Sequence, residues 1–385
     1  MELLFWLLLS VVAYTYLGYP IFLWLAVRLK GRGSPSPAPS DPGTLAHVSI
    51  LLPAYNEGRW LRRRLENLLA LRYPSELVEI LVGSDGSTDA TTEVARSFGA
   101  KGVRLVESPV RCGKTALLNQ MVPIASGDII VFTDANVLFE PETLERLVAP
   151  FAWPRVGCVI GELVYVNREA PRVRAGEGLY WRFENSIKEM EGRFGGTVVG
   201  TGAVYAMRRA LCRRLPTEIS DDALNPLLVL AAGYDVVVEP RAKAFERAAT
   251  SLREEFQRKA RMVTRQLGAH AEMRFFLNPL RPILAVRLAS HKLLRWLAPV
   301  FLAAALLVNL ALLDHWLHRA VLAMTLAGVL AFGGGVLAGR RRRAVPAALR
   351  FWVYFCVVNA AAVKGITDFL RGRRRATWTI SATTR

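Results

Sequence analysis

The chain is 385 residues long, is 52% hydrophobic and carries a formal charge of +18, enough for one sizeable catalytic domain plus additional segments. Its basic residues gather beside apolar runs, at Arg28, Lys30 and Arg32, at Arg340 to Arg343, and at Arg371 and Arg373 to Arg375, which points to membrane topology and anionic headgroups rather than nucleic acid. Four scattered cysteines and five scattered histidines argue against a disulfide framework and a zinc site.

In chain order, Leu3 to Val27 holds no charged residue, and about 20 apolar residues cross a bilayer. Glu2 precedes this run and basic residues follow it. That order predicts an uncleaved transmembrane helix over 1–30, with the N-terminus outside and the next domain cytoplasmic. Residues 31–46 are a Pro/Gly/Ser linker. Short apolar runs at 48–52, 78–82, 103–106 and 129–132 then alternate with helical stretches, the first from about Arg59 to Leu71. This alternation predicts a doubly wound, mostly parallel α/β sheet within a cytoplasmic domain over 47–275.

After that domain, Pro279 to Arg295 mixes apolar residues with Arg281, Arg287, His291, Lys292 and Arg295, the signature of an amphipathic interfacial helix over 276–295. A transmembrane hairpin is expected over 296–339, with a polar turn at Asp314 to Arg319 and a cytoplasmic return at Arg340 to Arg343. The basic region 340–385 holds one more apolar run, Phe351 to Val363. The run is short for a span and basic on both flanks, so re-entrant and spanning arrangements both stay open.

In open α/β sheets, ligands bind beyond the carboxyl ends of the strands. There the sequence places Pro53, Ala54, Tyr55, Asn56 and Glu57, then Gly83 to Asp89, then Thr133, Asp134, Ala135 and Asn136. Three polar clusters at one edge favour a binding site, although Asp89 also suits a helix cap. Ser108 stands where a P-loop needs glycine ahead of Gly113-Lys114-Thr115, and no G-x-G-x-x-G follows the first strand. A nucleotide surface here is of another kind.

With Ser49 to Glu57, Asp85 to Asp89, Gly113 to Asn119, Thr133 to Asn136, Gly200 to Ala203, Ser220-Asp221-Asp222 and Arg258 to Arg261 in this order, the chain resembles the family 2 glycosyltransferases. The likeness covers about 45–270. It is to their membrane-bound branch, which includes the cellulose, hyaluronan and poly-N-acetylglucosamine synthases. It implies a glycosyltransferase A-type fold and an inverting transfer from a nucleotide sugar, with uridine the expected base.

The resemblance assigns Pro53 to Glu57, Asp85 and Lys114 to the nucleotide. It places Asp134 beside the sugar diphosphate and a divalent cation, Mg²⁺ or Mn²⁺, which suits hard oxygen ligands. Asn136 stands where many relatives have a second Asp, so it contributes a carbonyl oxygen without charge. Asp222, or its neighbour Asp221, is the expected base, worth about 10²- to 10⁴-fold in rate; both also suit a helix N-terminus.

Arg258 and Arg261 stand in place of the Gln-x-x-Arg-Trp signature, where Arg261 would grip the diphosphate. With Met262 replacing the tryptophan, processive synthesis loses support. A basic helical face toward lipid headgroups is the other reading of these residues. Gly200, Thr201 and Gly202 suit a tight loop against the acceptor. Tyr180, Trp181 and Glu184 suit an acceptor groove, and the two aromatics suit core packing equally well.

The expected partners are a nucleotide-sugar donor, a glycan or lipid acceptor, the lipid bilayer, and export or accessory subunits. The expected location is the inner (plasma) membrane, with several spans and a cytoplasmic catalytic domain. A non-catalytic membrane scaffold with a degenerate sugar-nucleotide domain is the alternative.

Overall fold

The computed structural model describes residues 1–30, 45–166, 171–194, 196–247, 251–272, 282–340 and 345–373. Most of the linker expected over 31–46 therefore lies outside the described residues.

The four expected strands form. They are β1 (Val48–Ala54), β2 (Val78–Asp85), β3 (Val103–Ser108) and β4 (Ile129–Thr133). β1 and β4 are buried at every position, as central strands covered on both faces must be. Four further strands complete the sheet: β5 (Leu138–Phe139), β6 (Val156–Tyr165), β7 (Val204–Arg208) and β8 (Asp235–Glu246). The order is β3-β2-β1-β4-β7-β6-β8-β5. β1 pairs in parallel with β2 and β4, β2 with β3, and β6 with β8; β7 runs antiparallel to β4 and β6, and β5 antiparallel to β8.

This topology decides what meets at one edge. Thr133, the last residue of β4, pairs with Val204, the first of β7, so the loop before β7 arrives where β4 ends. Tyr165 and Glu246 close β6 and β8 as partners. Both strands run parallel to β4, so these residues reach the same edge.

Helices pack both faces. On one side, Ile50 and Leu52 meet α3 (Gly58–Leu69), α4 (Thr91–Arg96) and α6 (Thr143–Val148). On the other, Leu51 and Ile130 meet α5 (Lys114–Met121) and α8 (Asp221–Ala231). Alternate β1 residues thus serve opposite cores, as the two-residue strand period requires.

The remaining helices include the apolar ones. α1 (Glu2–Ala13) and α2 (Tyr19–Lys30) join through a π-helical turn at Tyr14–Gly18. α7 (Pro171–Arg193) and α9 (Leu252–Glu272) lie between the sheet domain and the membrane helices. Next come α10 (Pro282–Leu288), a second π-helical turn (Ala289–Leu293), α11 (Leu294–Leu310), α12 (Trp316–Arg340) and α13 (Ala347–Leu370). Among the described residues, four helical stretches are long and apolar enough to cross a membrane: Glu2–Leu29, Leu284–Leu310, Trp316–Gly339 and Ala347–Leu370.

Two expectations change here. The separate interfacial helix over 276–295 is replaced, within the described residues, by one continuous helix running from α10 through α11. Its Ser290, His291, Lys292 and Arg295 are buried. His291, Lys292 and Arg295 turn inward because carboxylates on α7 receive them. The open question over 351–363 narrows as well. α13 has 24 residues, about 36 Å of helix, and it packs on α9, α7 and α11. Gly365 permits the α9 contact, since a Cβ there would lie 2.7 Å from the Ala260 carbonyl oxygen.

Candidate active site

The loop after β1 is bound to the loop after β2. Asn56 adopts φ +51°, a conformation Asn tolerates better than most residues, and its Oδ1 accepts the Thr88 N–H at 2.8 Å. The Glu57 N–H donates to Thr91 Oγ1 (2.7 Å) and the Gly58 N–H to Asp89 Oδ2 (2.9 Å). Pro53 and Glu57 line a large cavity at the sheet edge. Ala54 is buried, and the Tyr55 ring lies under the Arg111 guanidinium, 3.8 Å from its centroid.

Asp85 departs from its expected role. It is fully buried. Its Oδ1 accepts the Cys112 N–H at 2.7 Å, and both its oxygens accept the Gly113 N–H at 3.0 Å. It does not line the cavity. Asp85 instead fixes the turn that delivers Lys114, because a buried carboxylate must be satisfied and two backbone N–H groups do so.

Lys114 is the hub. Its Nζ donates to Asp134 Oδ1 at 2.8 Å and to the Gly202 carbonyl at 3.2 Å, and it lies 3.6 Å from Asp221 Oδ1. Burial pulls its pKa down, but Asp134 and Asp221 outweigh that and raise it above the ordinary lysine value. The ammonium therefore stays charged.

The two adjacent acids of α8 part company. Asp221 is 2% exposed and accepts the Tyr205 hydroxyl at 2.8 Å; Asn225 Nδ2 donates to that same hydroxyl at 2.9 Å. Burial pushes the Asp221 carboxyl above the usual carboxylate range, with Lys114 opposing and Asp222 reinforcing. Asp222 is half-buried. Its Oδ2 accepts the Gly202 N–H at 3.2 Å and its Oδ1 the Ser220 hydroxyl. Neither acid caps α8: Ser220 holds the cap position and makes no side-chain cap bond. Gly200 donates its N–H to the Asp222 carbonyl at 3.0 Å, and a Cβ at Gly200 would come within 2.4 Å of that oxygen. Only glycine fits this approach.

On α9, Arg258, Arg261 and Arg265 line the cavity from one helical face, three and four residues apart. Arg258 bridges to Glu255 Oε2 (2.7 Å) and donates to the Tyr165 hydroxyl (2.6 Å). Arg265 donates to Thr115 Oγ1 (3.1 Å) and the Ile219 carbonyl (3.0 Å). Burial lowers the pKa of Arg261 and of Arg265, while Asp221 and Asp222 counter this at Arg265. Lys259 is 6% exposed, its Nζ 4.6 Å from the Trp181 ring centroid. These groups point into the protein rather than toward headgroups.

Among the described residues, no group of three or more His, Cys, Asp or Glu side chains is arranged to hold a metal ion. The cavity does offer Asp134, Asn136 and Glu246, with Asn136 Nδ2 donating to Glu246 Oε1 at 2.9 Å. Two carboxylates and an amide oxygen are hard donors. They fit a cation that draws its other ligands from a diphosphate.

Sequence reasoning missed Glu246, Arg265 and Arg64. Arg64 sits fully buried at a core position of α3 and donates to Thr133 Oγ1 at 2.7 Å, bracing the residue before Asp134. Burial lowers its pKa to about 9, with Asp134 opposing. An arginine among Leu61, Leu65 and Leu68 on the apolar stripe was the available signal.

The cavity, 1040 Å³ in volume, does not stop at the sheet edge. It continues past Trp181, Glu184 and Lys188 on α7 to Tyr16, Trp296, Phe355 and Val358 on the membrane helices. The side chain of Tyr180 lies outside the described residues.

Residues 49–215 match the family model for Glycosyl transferase family 2. Among curated relatives, the chain is 33% identical to a beta-monoglucosyldiacylglycerol synthase of Nostoc sp. over 30% of this chain and 26% of the relative. It is 26% identical to an N-acetylglucosaminyltransferase of Mesorhizobium japonicum over 51% of this chain and 50% of the relative. These matches thus span half of the relatives' own length or less. The mannosyltransferase PcManGT from Pyrobaculum calidifontis, solved in complex with GDP-Man and Mn²⁺, superposes with a TM-score of 0.71 at 25% identity, over 95% of this chain and 99% of that one.

Proposed function

We infer that this chain, a member of glycosyl transferase family 2, moves a hexose from a nucleoside-diphosphate sugar to a membrane lipid by an inverting displacement. The observation that carries this reading is the continuity of one cavity, from Asp134 and Asp222 at the sheet edge to the side chains of α11 and α13. A lipid acceptor reaches the reacting carbon along that path with its tail among apolar side chains. The altered Arg258-to-Met262 segment and the apolar lining support single addition over processive extension.

The chain's residues divide the work. Asp222 takes the proton of the acceptor hydroxyl as that oxygen bonds to the anomeric carbon. The bond from that carbon to the diphosphate oxygen breaks, and the nucleoside diphosphate departs with the electron pair. Asp222 suits the base because it is the more exposed of the two acids that line the cavity, whereas Asp221 is buried against Tyr205 and Lys114. Asp221 is a positioning residue for Lys114.

Lys114, Arg261 and Arg265 hold fixed positive charge where the leaving diphosphate develops negative charge, which lowers the barrier because no reorganisation is needed. A divalent cation, held by Asp134, Asn136 and Glu246 together with the phosphates, would neutralise further charge there when bound. The solved relative with GDP-Man and Mn²⁺ supports both the cation and a guanosine donor beside the uridine one. The basic residues that follow the first span, Arg28 and Lys30, support a catalytic domain at the cytoplasmic face of the inner membrane.

The test uses the full chain in nanodiscs with labelled GDP-mannose, UDP-glucose and UDP-N-acetylglucosamine, with and without Mn²⁺. Label in the lipid extract from at least one donor, abolished by Asp222→Asn, is the expected result. Label that reaches only water-soluble polymer would reject the lipid acceptor. No turnover of any donor would favour the scaffold alternative.

A further inference from the structure

Between the catalytic acid and the membrane helices lies a charged region that the displacement leaves without a task. Lys188 is 4% exposed. Its Nζ hydrogen-bonds to Thr201 Oγ1 at 3.1 Å and to the Gly200 carbonyl at 3.5 Å, both neutral oxygens. Among the described residues, no carboxylate lies within 4.0 Å of it. The Trp181 ring lies 5.6 Å from Nζ, but burying an ammonium with no hydrogen-bonded anion is costly, and an anionic partner relieves that cost. The nearby carboxylates are committed elsewhere. Glu184 takes Lys292, Arg295 and His291. Glu191 takes the Tyr19 hydroxyl (2.5 Å), Thr197 (2.9 Å) and His291 (2.9 Å).

Position gives this ammonium a meaning. Lys188, Lys292 and Arg295 all line the cavity. Thr201 and Gly200, the partners of Lys188, belong to the loop whose Gly202 N–H holds the Asp222 carboxylate. Lys292 and Arg295 belong to the Leu284–Leu310 helix, one of the four candidate spans. The cationic region therefore sits one loop away from the base and faces the route a lipid would take.

We propose that Lys188, assisted by Lys292 and Arg295, forms a subsite for the phosphate of an anionic lipid acceptor, which presents its headgroup hydroxyl to Asp222. The subsite rests on the lipid-acceptor reading above and adds the chemical class of the lipid. Burial depresses the Lys188 pKa, with Glu184 and Asp222 opposing, so a bound phosphate would also hold the ammonium charged.

The experiment compares two acceptors with matched acyl chains in nanodiscs. Phosphatidylglycerol carries a free hydroxyl and a phosphodiester; diacylglycerol carries a free hydroxyl alone. The wild-type chain is expected to favour phosphatidylglycerol by about tenfold or more in kcat/KM, the scale of a hydrogen bond to a charged group. Lys188→Gln is expected to raise the KM for phosphatidylglycerol by about that factor while kcat changes little. Lys188→Arg is expected to restore most of it. Inorganic phosphate is expected to compete with the lipid only weakly.

Equal use of both lipids by the wild-type chain overturns the subsite and leaves lipid transfer standing. Strong inhibition by phosphate without a lipid preference reassigns the subsite to a free anion and overturns the lipid assignment. Transfer to neither lipid, with donor hydrolysis continuing, rejects lipid transfer itself. Should Lys188→Gln fail to fold, the wild-type comparison decides alone.

Discussion

The two ends of the cavity are built on different electrostatic plans. At the sheet edge, the Lys114 ammonium meets Asp134 and Asp221, and backbone N–H groups hold Asp85 and Asp222. The charges at this end are paired before any substrate arrives, as stabilisation of a transition state requires. At the membrane end, the Lys188 ammonium hydrogen-bonds to neutral oxygens and lies 5.6 Å from the Trp181 ring centroid, in a cavity that apolar and aromatic side chains of α11 and α13 also line. This end is tuned to a ligand that brings its own charge and its own apolar surface. One cavity thus combines a fixed reaction centre with a receptive acceptor port.

Substitutions can break that division. The largest effect is expected at Asp222: Asp222→Asn should lower kcat by about 10²- to 10⁴-fold with donor affinity near wild type. Asp221→Asn should act mainly on donor binding, through Lys114, in a titration with a nucleoside diphosphate. If the two phenotypes exchange, the base is Asp221. Next comes Gly200→Ala, whose Cβ would strike the Asp222 carbonyl. It should lower kcat by about tenfold or more and cost about 1–3 kcal/mol of stability, the usual penalty for overpacking.

A smaller effect concerns the cation. Glu246→Gln should weaken Mn²⁺ binding in the presence of nucleoside diphosphate by about tenfold, and Asn136→Asp should strengthen it by a similar factor. Electron paramagnetic resonance of free Mn²⁺ reads both without recourse to turnover. No change in either variant would remove these residues from the cation site.

The smallest effect is in stability against pH, and it tests α9, the helix shared by both ends. Burial pulls the His270 imidazole down to about 4, with the Gln266 carbonyl opposing. His270 Nδ1 bonds that carbonyl at 2.7 Å, and the ring packs edge-on against Trp296 at 5.2 Å. Below pH 6.5 the unfolded chain binds a proton that the folded chain refuses, so stability falls as pH drops from 6.5 toward 4. At pH 5 the loss is about 2 kcal/mol, and thermal unfolding in detergent should show it. His270→Gln should flatten this slope.

The sheet edge was largely legible in the sequence, because short apolar runs set β1 to β4, and β1, β2 and β4 each ended in a polar cluster. Local pattern could not reveal Asp85 as a support for the 112–113 turn, since a buried carboxylate and a ligand-facing one read alike. Glu246 was hidden because β8 arrives at the edge through long-range pairing with β6. The membrane end was misread for a related reason. The basic residues of 287–295 look like a headgroup-facing stripe until the carboxylates of α7, about a hundred residues earlier, are seen to receive them. The arginine spacing on α9 was visible as far as Arg261, and one more turn of helix would have added Arg265.

The most direct test is a structure of the full-length Asp222→Asn chain in nanodiscs, with a nucleoside-diphosphate hexose and phosphatidylglycerol. The expected density is a single lipid with its tail between α11 and α13 and its headgroup between Lys188 and residue 222. A donor bound at Lys114 with polymeric sugar, rather than lipid, filling the membrane end of the cavity would contradict the account.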